Sequence, residues 1–246
     1  MAAPGRVVGG LHPVRELLRA GQRVDRVLVA GTREGSAVLD EVLELARDQG
    51  VPVGEVERAE LDRRADGLVH QGVLALAPPF PYVSLDDVLE PATDDRALLV
   101  ALDGITDPHN LGSIARTAEA VGAHGLIVPG RRTATVTPTV EKAAAGALAH
   151  LPVVQVTNLV RSLGQLSDAG IWSLGLDGDA GVELAAHPLV TEPCVLVVGA
   201  EGRGLSRLVR ERCDALVRLP MVGRVGSLNA SVAAGVALYE LLRVRR

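Results

Sequence analysis

The sequence predicts an α/β protein: a C-terminal domain on a parallel sheet, preceded by a small α/β unit. Three observations predict this. From residue 96 onward, near-continuous apolar runs alternate with stretches of helical periodicity, the pattern of strands covered on both faces. Residues 78–95 interrupt the chain with a Pro-rich and then acidic stretch. Three of the apolar runs end in Gly- or Asn-rich turns, where open parallel sheets bind their ligands.

Val7-Val8-Gly9-Gly10 leads into a helix-like stretch from His12 to Ala20, and Arg26–Ala30 reads as a strand. Ala37–Gln49 has helical periodicity, with Val38, Val42, Leu43 and Leu45 on one side and Gly50 as a stop. Val51–Val53 and Gly72–Ala77 read as short strands, closing a first domain over residues 1–77. Pro78-Pro79-Phe80-Pro81, followed by Asp86, Asp87, Glu90, Asp94 and Asp95, reads as a semi-rigid linker over 78–95. The second domain, 96–246, should carry strands at Leu98–Leu102, Leu126–Val128, Val153–Val156, Ile171–Leu174, Cys194–Val198 and Leu216–Leu219. Its helices should run over Ile114–Val121, Lys142–Leu151, a segment between residues 156 and 171, and Asn229–Val244.

With 48% hydrophobic and 22% charged residues, the 246-residue chain has the balance of a soluble globular protein. Aromatics are only 2%, which argues against base-stacking platforms. The net charge of −5 argues against a nucleic-acid partner, but the charge is unevenly spread. Residues 1–95 carry 10 Arg against 17 acids, whereas residues 96–246 carry 15 Lys and Arg against 13 acids. The basic end Arg243-Val244-Arg245-Arg246 reads as solvated charge or as a phosphate contact. Cys194 and Cys213 lack CxxC spacing and a His cluster, so neither a disulfide framework nor a zinc site is expected. No signal-peptide layout or membrane-length apolar run is present, and a cytoplasmic location is expected.

The chemistry concentrates in three segments. The first runs Asp103-Gly104-Ile105-Thr106-Asp107-Pro108-His109-Asn110-Leu111-Gly112-Ser113-Ile114-Ala115-Arg116-Thr117. Asn110 stands where a helix N-cap would be, with Arg116 one and a half turns further along. The second is Val197-Val198-Gly199-Ala200-Glu201-Gly202-Arg203-Gly204-Leu205. Its glycine order is not that of a dinucleotide fingerprint, and no phosphate-binding loop with Gly-Lys-Ser/Thr occurs. The third runs from Leu219-Pro220-Met221 through Ser227-Leu228-Asn229-Ala230-Ser231, where Ser227 or Asn229 would cap the last helix. Asp177-Gly178-Asp179 lacks the later ligands of a calcium loop and reads as a turn. His12 and His70 taken alone read as surface or packing histidines.

In order and spacing these segments resemble the three motifs of the SpoU/TrmH family of RNA ribose 2'-O-methyltransferases, in the SPOUT superfamily. Gly10-Leu11-His12-Pro13-Val14-Arg15-Glu16 and His70-Gln71-Gly72 resemble the substrate-binding domain of one branch, with a ribosomal-protein-like fold. The resemblance implies a trefoil knot in the C-terminal domain, a homodimer, and S-adenosyl-L-methionine as methyl donor. It implies no metal and no membrane. By resemblance, Val198, Gly199, Leu219, Met221 and Leu228 hold the cofactor. Arg116, Asn110, Glu201, Ser227 and Asn229 form the catalytic set, with Glu201 orienting Arg116 or the RNA. A guanidinium is a poor general base, so Arg116 is expected to clamp a phosphate that takes the 2'-hydroxyl proton, or to stabilise oxyanion charge.

The accessory domain points to the branch that modifies a guanosine of 23S rRNA. A tRNA guanosine methyltransferase and a non-catalytic RNA-binding or ribosome-assembly factor are the rival readings. A small-molecule nucleotide enzyme would need a fingerprint or phosphate loop. One departure is Ala144, which stands where many relatives have Ser.

Overall fold

Two units make up the chain in the computed structural model, residues 1–81 with 136–150, and residues 82–135 with 151–246. The structure describes residues 5–31, 36–89, 97–131, 133–224 and 226–245. Glu90, Asp94 and Asp95 of the expected linker, Val225 of the third segment and the terminal Arg246 lie outside them.

The first unit begins with β1 (Arg6–Gly9), α1 (Leu11–Arg19), β2 (Arg26–Ala30), α2 (Ala37–Asp48), β3 (Val53–Val56), α3 (Arg58–Ala65) and β4 (Val73–Ala77). The sheet order is β1-β4-β2-β3, with β2 and β3 parallel and the other pairs antiparallel. Strand alternation sends Val27 and Val29 of β2 into one apolar cluster with Val14, Leu18 and Val42, and Leu28 and Ala30 into another with Leu61 and Leu74. Each of these buried Val and Leu side chains contributes about 1.5–3 kcal/mol. The third strand starts two residues later than the sequence predicts, because the Val51 amide is used to close α2 on the Ala46 carbonyl. Helix α3 escapes the periodicity reading because it buries only Leu61 and Ala65 along a charged face. His70 is a packing residue: its Nδ1 accepts from the Gly72 amide at 3.0 Å and its Nε2 meets Asp62 Oδ1 at 2.8 Å.

The chain enters the second unit through α4 (Leu85–Leu89), a short helix within the stretch expected to be a spacer. Ser84 and Asp87 cap it reciprocally: Asp87 Oδ2 accepts from the Ser84 amide at 2.8 Å, and the Asp87 amide donates to Ser84 Oγ at 3.3 Å. Then follow β5 (Leu98–Asp103), α5 (Pro108–Ala120) and β6 (Gly125–Pro129). Residues 136–150 belong to the first unit. They form α6 (Pro138–Ala144) and a 3-10 turn at Ala147–Ala149, where the sequence predicts one helix from Lys142 to Leu151. The helix starts early because Thr137 caps it and Pro138 suits its first turn. It stops because Ala145 and Gly146 take positive φ, and a Cβ on Gly146 would lie 2.6 Å from the Glu16 side chain. Ala144 is fully buried, so this position packs in the core of its unit. Within the same unit Glu141 pairs with Arg6 at 3.2 Å, and the Arg6 guanidinium lies 5.0 Å from the Phe80 ring centre. Burial pushes the Glu141 carboxyl up to about 7, against the opposing pull of Arg6.

The second unit continues with β7 (Val153–Val156), α7 (Leu159–Asp168), β8 (Trp172–Leu176), β9 (Cys194–Gly199), α8 (Arg207–Arg212), β10 (Ala215–Val217) and α9 (Ala230–Arg245). All strand pairs are parallel, in the order β10-β8-β9-β5-β6-β7. β9 sits between β8 and β5 and is buried along its whole length, which explains its unbroken apolar sequence. The Asp103–Gly199 register brings the ends of β5 and β9 level, so the first two motifs begin side by side.

Of the basic C-terminal residues, Arg243 is exposed, whereas Arg245 is held by backbone carbonyls rather than solvated. Arg245 Nε donates to the Val190 carbonyl at 2.7 Å and Nη1 to the Ala97 carbonyl at 3.1 Å, while Nη2 reaches the Glu192 carbonyl. Arg243 pairs with Glu240. Cys194 and Cys213 are unpaired, and burial pushes their thiols up to about 11 and about 12. Among the described residues, no helix is long and apolar enough to cross a membrane.

Candidate active site

Three loops at the carboxyl ends of β8, β9 and β10 build the site. After β9 the chain folds back on itself: the Ala200 amide donates to the Gly204 carbonyl at 3.1 Å, and the Gly204 amide to the Ala200 carbonyl at 2.8 Å. Gly202 and Gly204 supply the positive φ values this turn needs. Gly199 is required for another reason. A Cβ there would lie 2.2 Å from the Gly204 carbonyl carbon and 2.4 Å from the Leu205 nitrogen. Asp103 Oδ2 accepts from the Ser206 amide at 2.6 Å, tying the end of β5 to the segment after the turn.

These loops enclose a cleft of about 390 Å³, within the size range of small-molecule sites. Val198, Gly199, Glu201, Leu219, Met221, Ser227 and Leu228 all line it. Seven of the ten residues singled out in the sequence, from two separate motifs, thus meet at one place. Asn229 joins those motifs from just outside the cleft. Its Nδ2 donates to Glu201 Oε2 at 3.1 Å, while its Oδ1 accepts from the Ser231 amide at 2.9 Å. Asn229 is therefore the cap at the start of α9, and the observed partner of Glu201 is Asn229 rather than Arg116.

Asn110 and Arg116 do not line the cleft. Asn110 is not the cap of its helix: Asp107 holds that position, accepting from the His109 amide at 2.8 Å, with Pro108 in the first turn. Asn110 is a buried residue inside α5. Arg116 consequently lies deeper in the helix than the sequence implied. It is exposed and makes no ion pair or side-chain hydrogen bond among the described residues.

The cleft also uses residues that sequence reasoning set aside. Leu176, Asp177, Gly178 and Asp179 line it, as do Arg203 and Arg210. Asp177-Gly178-Asp179 is a turn, with Asp177 Oδ1 accepting from the Asp179 amide at 2.9 Å. The other carboxylate oxygen of Asp177 pairs with Arg210 at 2.7 Å. No local sequence signal marks this turn: it reaches the cleft because it follows β8, which pairs in parallel with β9.

Comparison with known proteins shows the family of the chain. Residues 97–239 match the model of the SpoU rRNA methylase family, and residues 7–83 match the substrate-binding domain of RNA 2'-O ribose methyltransferases. The chain is 48% identical over 242 residues to a Mycolicibacterium vanbaalenii protein named an uncharacterized tRNA/rRNA methyltransferase, covering 98% of this chain and 77% of that one. The SpoU methyltransferase AviRb of Streptomyces viridochromogenes, solved with AdoMet, superposes with a TM-score of 0.81 at 31% identity, over 97% of this chain and 90% of that one. An AdoMet-bound rRNA methyltransferase of Sinorhizobium meliloti superposes with a TM-score of 0.80 at 26% identity, over 97% and 87% of the two chains. Two family models, a relative of nearly half-identical sequence and matching folds lead to one conclusion: the chain belongs to the SpoU family of RNA 2'-O-ribose methyltransferases.

Proposed function

We propose that the chain methylates the ribose 2'-hydroxyl of a guanosine in 23S rRNA, in the cytoplasm and as a homodimer, using S-adenosyl-L-methionine. The observation that carries this is the convergence of the second and third motifs on one cleft, with Asn229 bonded to Glu201 beside it. The cleft suits that cofactor. Leu219, Met221 and Leu228 offer apolar surface for an adenine, the Gly199 bend brings backbone close, and Asp179 and Glu201 supply carboxylates for cationic and hydroxyl groups. When bound, S-adenosylmethionine supplies a methyl group made electrophilic by its sulfonium.

The residues of the chain orient the nucleophile and manage its proton. Arg116 holds an RNA phosphate, and that phosphate accepts the proton as the 2'-oxygen gains its methyl. Glu201, Asn229 and Ser227 fix the rim of the cleft where the ribose arrives. Asn110 supports α5 from within. Arg116 is exposed and does not line the cleft of its own chain, which suits a role across a dimer interface. Val232, Val236 and Tyr239, exposed by 50%, 48% and 56%, follow one another at helical spacing on α9 and offer an apolar stripe to a second copy. The C-terminal unit is proposed to be knotted, as the resemblance implies, and the first unit to select the RNA.

The test is transfer of radiolabelled methyl from S-adenosylmethionine to separated tRNA, 16S and 23S RNA, followed by nucleoside analysis. Label in 23S RNA as 2'-O-methylguanosine is the expected result. Label in tRNA would move the substrate, and no label in any RNA would leave a binding factor.

A further inference from the structure

A second groove, of about 660 Å³, borders the 200–205 turn that also forms a wall of the cofactor cleft. We propose that it seats a nucleotide of the RNA substrate, with the base against its aliphatic wall and the phosphate on its two arginines. This rests on the reading of the chain as an RNA methyltransferase and adds where the RNA is gripped.

Leu159, Val160 and the exposed Leu208 form the aliphatic wall. Arg131 and Arg203 stand exposed in the lining, and neither has an ion pair or hydrogen bond among the described residues. Thr133 lines the same groove, and its Oγ1 is buried without a hydrogen-bond partner among the described residues. A buried hydroxyl with no partner is uncommon in folded proteins and points to a ligand atom that completes it. The one acid in the lining, Asp103, already spends Oδ2 on the Ser206 amide, so the groove carries more positive than negative charge. An apolar face, a hydroxyl and two guanidiniums match the base, the polar edge and the phosphate of a nucleotide. With aromatics so scarce in this chain, an aliphatic wall is the surface on hand for a base face.

Asp103, Gly104 and Thr106 of the first motif edge the groove. It therefore joins the segment leading to Arg116 with the turn that carries Glu201. A nucleotide held there lies beside the cofactor cleft, as a methyl acceptor or its neighbour in the strand must.

The test uses the full chain with Arg131→Ala, Leu208→Asp and Thr133→Val. Arg131, Leu208 and Thr133 line this groove and not the cofactor cleft. Three quantities are measured: filter-binding affinity for a 23S rRNA transcript, calorimetric affinity for S-adenosylmethionine, and Tm. We expect Arg131→Ala, by losing a charge-assisted contact, and Leu208→Asp, by setting a negative charge against the RNA, to weaken RNA binding about tenfold each, with cofactor affinity and Tm unchanged. RNA affinity equal to wild type in both variants would overturn the groove, even if wild type transfers methyl normally. Groove-dependent RNA binding by a wild-type protein that transfers no methyl would sink the enzymatic reading and leave the groove standing.

Discussion

Replacing Gly199 by Ala tests how closely the cofactor cleft depends on one backbone approach. The new Cβ would stand 2.2 Å from the Gly204 carbonyl carbon and 2.5 Å from its oxygen. Ordinary contact begins near 3.4 Å, so the turn must retreat by roughly 1 Å, and the obstacle is main chain rather than a flexible side chain. The retreat breaks or bends the two Ala200–Gly204 hydrogen bonds, about 1 kcal/mol each, and adds about 1–3 kcal/mol of packing strain. The total, about 3–5 kcal/mol, falls on the loop that forms the cleft. Calorimetric titration with S-adenosylmethionine should show a Kd raised at least a hundredfold, because even 3 kcal/mol corresponds to about that factor. Gly226→Ala is the control: Gly226 lines the same cleft, but its Cβ would meet nothing within 4 Å. It should bind the cofactor almost as wild type does. A Gly199→Ala protein that binds cofactor normally would show that the cleft is not the cofactor site.

Arg116→Ala should lower kcat for methyl transfer by at least a hundredfold while leaving cofactor Kd within about twofold, read by single-turnover transfer and calorimetry. Loss of cofactor binding with an intact fold would contradict its assignment to the RNA side. Asn229→Ala should cost about 1–2 kcal/mol in urea unfolding through loss of the α9 cap, and should free Glu201, lowering activity more than stability. Glu141 makes stability depend on pH. Its carboxyl is held at about 7 in the fold against 4.5 ordinarily, so the folded state retains a proton that the unfolded chain releases. Its favourable contribution is full below pH 4.5 and is lost as pH rises through 7, by about 3 kcal/mol. Glu141→Gln should remove that fall, so wild-type and variant unfolding energies should diverge between pH 5 and 8. Parallel profiles would refute the shift.

How much was legible follows the physics of each part. The strands of the second unit could be read because burial on both faces leaves uninterrupted apolar runs, as at Cys194–Gly199. Helix α3 and the short α4 were not, since neither buries enough apolar side chains to impose a period. The start of α5 was misplaced because Asp107 and Asn110 are both good caps, and only Pro108 between them favours the earlier one. Arg245 looked like loose terminal charge, for its carbonyl partners are 53 or more positions away in the chain. In the site, Gly199 and Glu201 were visible as a motif. Asp177 was not, because its place at the cleft depends on β8 lying beside β9, which no local pattern records.

The measurement that bears most directly on the account is mass spectrometry of nucleosides from rRNA of the source cells. Three strains are compared: one lacking this chain, one carrying it, and one carrying Arg116→Ala. A 2'-O-methylguanosine in 23S rRNA that is absent without the chain, restored by it and not restored by Arg116→Ala is the predicted result. Identical ribose methylation of every RNA in all three strains would contradict it.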